Sequence, residues 1–126
     1  MKITAFNHMI ITAKADDLIS LFEELGFERR HERTGIDELT DSSVRMKDAN
    51  GHHIDIAQVD VIPQDLTAIR INVRDFDEAY ELLTAHGFTI VQGGKITETE
   101  SSKSVMMTAP SGFAVDLTYH YRKEEQ

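Results

Sequence analysis

The strongest constraint on this chain is that it repeats itself at an offset of 61 residues. Gly26-Phe27 recurs as Gly87-Phe88, Ser43-Val44-Arg45-Met46 lines up with Ser104-Val105-Met106-Met107, and Ile54-Asp55-Ile56 meets Val115-Asp116-Leu117. Self-similarity of this kind means one supersecondary unit used twice. In each copy apolar residues at i, i+3, i+4 and i+7 predict a short helix, with Leu18, Leu21, Phe22 and Leu25 in the first and Ala79, Leu82, Leu83 and His86 in the second. A glycine follows each stripe, where a left-handed residue closes a helix. Asp75 and Glu78 stand at capping-box spacing ahead of the second helix.

Strands at Asn7–Thr12 and Thr67–Val73 precede the helices, and three more follow each helix. The pattern predicts an α+β chain of two tandem βαβββ modules, about 1–60 and 65–121. Val59–Leu66, with Pro63, forms the linker, and 122–126 forms a short tail. A length of 126 residues suits one domain. The polar stretches Thr34–Ser42 and Gly93–Lys103 fall at matching places and read as loops, where binding sites are often bordered.

The charge balance narrows the partners. With 13 basic against 22 acidic residues the net charge is -9, which repels phosphate backbones and anionic membranes, so neither nucleic acid nor a membrane is expected. The chain has no cysteine, which excludes disulfides, thiolate metal sites and cysteine nucleophiles and points to a reducing cytoplasm. Asn7 and His8 interrupt the apolar stretch near the start, against an export signal.

Alternation along the strands sorts side chains onto two faces. Met9, Ile11, Ile54, Ile56, Ile69, Ile71, Val73, Val115 and Leu117 are assigned to the face the helices cover. The other face collects His8, Ile10 and Thr12, Asp55 and Ala57, Ala68, Arg70 and Asn72, and Asp116 and Thr118. If the two modules curve into one mixed sheet, this polar and ionisable face lines a cavity, and His8, Thr12, Asp55, Arg70, Asn72, Asp116 and Thr118 become candidate ligand-binding residues.

These features resemble the vicinal oxygen chelate superfamily, which includes glyoxalase I, extradiol dioxygenases and bleomycin-resistance proteins. The resemblance rests on Phe6-Asn7-His8-Met9-Ile10-Ile11, on Leu25-Gly26-Phe27, and on the paired segments Asp48–Ile56 and Ala109–Leu117. It implies a glyoxalase-like fold, a small-molecule ligand and a homodimer. In metal-dependent members a His on the first strand and a carboxylate, usually Glu, on the last strand of each module hold one divalent ion. The matching positions here are His8, Asp55, Ala68 and Asp116. Ala68 carries no donor and both acids are the shorter Asp, which leaves His8, Asp55 and Asp116 as a degenerate set.

Two functions follow from the resemblance. One is a binding protein without the four-ligand centre and without a cofactor. The other is a metal-dependent lyase, isomerase or dioxygenase using zinc, nickel, iron or manganese on His8, Asp55 and Asp116. No catalytic residue is assigned. Arg70 is expected either to pair with Asp116 or Asp55 and partly to replace the ion, because two carboxylates brought together need a counter-charge, or to reach solvent at the sheet edge.

Overall fold

The computed structural model describes residues 2–34 and 42–121, so the expected tail and most of the Thr34–Ser42 loop lie outside the described residues. The chain divides into two compact units, one spanning 7–68 and the other joining 2–6 to 69–121. The elements run β1 (Ile3–Thr12), α1 (Ala15–Glu24), β2 (Glu28–Thr34), β3 (Ser42–Lys47) and β4 (His53–Gln58). They continue as β5 (Leu66–Val73), α2 (Phe76–Ala85), β6 (Thr89–Ile90), β7 (Thr97–Glu98), β8 (Ser102–Thr108) and β9 (Ala114–His120). The βαβββ module is therefore present twice, the second with the two-residue β7 in addition, inside the expected Gly93–Lys103 loop.

Within the first unit the strand order is β2-β3-β4-β1, and within the second β5-β9-β8-β6, with β7 beside β8. β1 runs parallel to β4 and β5 parallel to β9, while the β3/β4 and β8/β9 pairs are antiparallel. The start of β1 belongs to the second unit, where Thr4 Oγ1 donates to the Asn72 carbonyl at 3.3 Å and Arg74 N–H to the Lys2 carbonyl at 3.1 Å. The modules differ most after the helix. The seven residues of β2 have a counterpart of only two in β6, because Gly93 takes φ +82° and Gly94 N–H turns back to the Val91 carbonyl at 2.8 Å.

Helix ends follow the glycine signal. Gly26 and Gly87 adopt φ +105° and +90°. In α1 the Phe27 N–H bonds the Phe22 carbonyl at 2.9 Å and Gly26 N–H the Glu23 carbonyl at 3.1 Å, and the Phe22 and Phe27 rings meet edge to face. That is the closing pattern in which residues on either side of the glycine take up orphan carbonyls. Phe88 and Gly87 repeat it on Leu83 and Thr84 at 3.0 Å each. Asp75 accepts from Glu78 N–H at 3.0 Å, as the spacing predicted. Lys14 opens α1 without a side-chain cap, and Gln58 at the end of β4 supplies one, its Oε1 accepting Ala15 N–H at 2.9 Å.

The helical stripes are rotated from the expected ones. Ala15 and Ile19 are the buried residues of α1, with Leu18 and Phe22 packed beside them, whereas Leu21 and Leu25 are exposed. α2 buries Phe76 and Ala79 and leaves Leu82 and His86 exposed, so His86 ends the helix without packing. A 3.6-residue period fits two stripes one position apart almost equally well, and only the sheet underneath decides between them. The first unit's core joins α1 to Val44, Met46, Ile54 and Ile56, and the second joins α2 to Val105, Met107, Val115 and Leu117.

Candidate functional site

The apolar-acid-apolar triplets become the central strands β4 and β9. Ile54 and Ile56, like Val115 and Leu117, point to the helix, so Asp55 and Asp116 point to the other face. Register then fixes their neighbours. Asp55 lies between Met9 of β1 and Arg45 of β3, and Asp116 lies between Arg70 of β5 and Met106 of β8. Each module thus flanks its acid with one arginine and one methionine, on exchanged sides.

In the first unit the pair is closed. Arg45 Nε reaches Asp55 Oδ1 at 2.8 Å and its Nη2 reaches Oδ2 at 3.1 Å, a two-pronged fork. Asn7 Nδ2 adds a third bond to Oδ2 at 3.1 Å. The Asp55 side chain is 1% exposed, so a charge there persists only because it is fully partnered. The hydrogen bond to Asp55 outweighs the partial burial of Arg45 and raises the pKa of its guanidinium further.

In the second unit the pair is looser. Arg70 Nη1 lies 3.9 Å from Asp116 Oδ2, beyond hydrogen-bond reach, with the two side chains 11% and 14% exposed. Arg70 Nε instead approaches Asn72 Oδ1 at 3.4 Å, and Thr118 Oγ1 approaches Asp116 Oδ1 at 3.5 Å. Asn72 and Thr118 are themselves register partners and both buried, so the four side chains form a two-by-two polar patch. Four expected site residues, Arg70, Asn72, Asp116 and Thr118, are thereby brought together.

His8 and Thr12 are placed elsewhere, and the face assigned to β1 is corrected. His8 pairs in register with Ile54 and is exposed, and the next residue on its side, Ile10, packs into the helix-side core. Thr12 is 1% exposed, and its Oγ1 accepts Lys14 N–H at 3.0 Å where the chain turns into α1. Asn7, Met9 and Ile11 share the Asp55 face instead. Matching His8 to Ala68 uses an offset of 60. Kept at 61, the repeat puts His8 over Ile69 and Met9 over Arg70, which is the observed arrangement.

Arg45 and Asn7 were missed. Arg45 had a signal, because the Asp48 N–H to His52 carbonyl bond centres the β3–β4 hairpin on Asn50, and residues equidistant from a hairpin centre face each other. Arg45 and Asp55 are each five residues from it.

These donors do not fit the implied metal centre. His8 and Asp55 point to opposite faces, Ala68 has no donor atom, and an ion at Asp55 would have to displace the Arg45 fork. Among the described residues no group of three or more His, Cys, Asp or Glu is placed to hold an ion.

No model of a known protein family and no curated protein matches the sequence. Solved structures do match. Methylmalonyl-CoA epimerase from Mycobacterium tuberculosis aligns with TM-score 0.70 at 15% identity, over 98% of this chain and 92% of that one. A glyoxalase/bleomycin resistance protein/dioxygenase superfamily member from Vibrio splendidus gives 0.61 at 16% identity, over 94% and 99%. The chain has a glyoxalase-like βαβββ fold. Streptomyces coelicolor methylmalonyl-CoA epimerase, in complex with 2-nitronate-propionyl-CoA, aligns at 0.66 and 12% identity, over 96% and 100%. Within this fold, β4 and β9 are the strands whose central acids the resemblance assigned to a metal, and here each carries an arginine partner. No helix among the described residues is long and apolar enough to cross a membrane.

Proposed function

We propose that this protein binds a small molecule bearing a carboxylate or carbonyl oxygen, on the Arg70, Asn72, Asp116 and Thr118 patch and without the four-ligand metal centre. The observation that carries the reading is the contrast between the two acid-arginine pairs. Asp55 is bound at hydrogen-bond distance on both oxygens, whereas Arg70 stands 3.9 Å from Asp116 among further polar groups. A tight buried pair serves the fold, and the second pair gathers a guanidinium, an amide and a hydroxyl beside a carboxylate, groups of the kind that recognise planar oxygen ligands. The neighbour holding 2-nitronate-propionyl-CoA supports small-molecule binding by this fold. His8, Thr12 and Asp55 leave the ligand-binding set on this reading. It includes a cytoplasmic location, supported by the cysteine-free composition, and the homodimer implied by the resemblance, which sedimentation tests.

The deciding experiment pairs elemental analysis of protein purified without chelator with titration of small carboxylates against wild type, Arg70→Ala and Arg45→Ala. The expected result is little bound metal and binding weakened at least about tenfold by Arg70→Ala alone, a loss of roughly 1.4 kcal/mol. Near-stoichiometric zinc, nickel, iron or manganese would overturn the reading. So would isomerisation of a glutathione hemithioacetal that is lost on chelation and restored by metal.

A further inference from the structure

We propose that Asp116 is a built-in competitor of the ligand, an internal counter-ion that occupies Arg70 until an external anion replaces it. The inference rests on the proposed function and adds a regulating element to that site.

Its basis is how the patch is strung together. Arg70 and Asp116 are direct register neighbours on β5 and β9, as Arg45 and Asp55 are on β3 and β4. The backbone thus permits a fork in both modules, and only the first makes one. In the second, both members lean one pleat along their own strands, Arg70 toward Asn72 and Asp116 toward Thr118. Their separation of 3.9 Å keeps the Coulomb attraction and gives up the directed bonds of the fork. Such a pair offsets part of the charge of a guanidinium 11% exposed and lacks the directed bonds that would resist exchange.

A ligand carboxylate arriving at Arg70 meets the Asn72 amide, which has N–H groups to donate, and the Thr118 hydroxyl, whose one proton turns to the ligand only by leaving Asp116. It also meets Asp116, which repels it. Binding therefore replaces one anion by another, and its affinity is the difference between two similar attractions. Removing the resident charge removes the competition. The first module provides no equivalent, since Asp55 is held by Arg45 and Asn7 together.

The test follows the Arg70 Nε–Hε resonance during titration with acetate and with oxalate, in wild type, Asp116→Asn, Asp116→Ser, Arg70→Ala and Asp77→Asn. Arg70→Ala is read on the Asn72 side-chain amide. Asp77 is an exposed acid of α2 near Lys103 and controls for net charge. Thermal melts identify which Asp116 variant is folded. Asp116→Asn or Asp116→Ser should bind about tenfold more tightly than wild type, and Asp77→Asn less than about twofold more tightly. If both Asp116 variants bind no more tightly while Arg70→Ala still loses binding, the competitor role is wrong and the ligand site stands. If Asp77→Asn tightens binding as much, bulk charge explains the gain and the competitor role is again wrong. If neither anion shifts these resonances in any variant, the ligand site and the competitor role both fall.

Discussion

Replacing Arg45 by methionine, the residue that stands at its place in the second module, should strongly destabilise the protein without touching the proposed ligand patch. The change leaves Asp55, 1% exposed, with Asn7 as its remaining partner among the bonds described above. At an effective dielectric of about 20, two unit charges about 4 Å apart attract by roughly 4 kcal/mol. Breaking a buried pair by removing one member costs about 3–5 kcal/mol. The Arg45 side chain is 28% exposed and the Asn7 bond survives, which favours the lower end, about 3 kcal/mol. For a chain of this size that lowers the melting temperature by about 10 °C. Urea denaturation gives the free energy directly. The double variant Arg45→Met with Asp55→Asn removes the stranded charge and should recover about 2 kcal/mol. A loss below about 1 kcal/mol for the single variant, or a double variant no better than the single one, would show that the fork does not hold Asp55.

Three other outcomes are expected. Gln58→Ala should cost about 1 kcal/mol in urea melts, because its side chain caps α1 from β4, and an unchanged midpoint would remove that role. Asp48 accepts from the His52 ring at 2.8 Å and from the backbone N–H groups of His52 and Asn50, which together lower its pKa below the ordinary 3.8. A depressed acid adds stability above its unfolded pKa and loses it as pH falls through the folded one, so Asp48→Ala should destabilise at neutral pH and differ little from wild type well below pH 4. A gap in stability that persists at low pH would contradict this. Tyr121 donates to Glu98, and that bond pushes the phenol up to about 12. In an absorbance titration Glu98→Ala should therefore bring one of the three tyrosines back toward 10, and an unchanged curve would show that the bond is not formed.

The sequence alone determined the module and its repetition. The 61-residue offset, Gly26 and Gly87 behind the helices, and the apolar-acid-apolar triplets around Asp55 and Asp116 are local patterns with a local cause, and each became the expected element. Within the second module the face of β5 and β9 was also legible, because alternation needs no partner to be read, and Arg70 does stand beside Asp116. Tertiary structure decided what depends on how elements meet. Which stripe of α1 is buried depends on the sheet beneath it, so Ile19 went in and Leu21 out. Which face His8 takes depends on the register of β1 against β4, where a slip of one residue reverses every side chain. The fork of Arg45 on Asp55 joins residues ten apart in sequence through the hairpin between them, and Asn7 reaches the same carboxylate from forty-eight residues away. Pairings of that kind are set by strand register and the side-chain geometry it allows, which composition and periodicity do not encode.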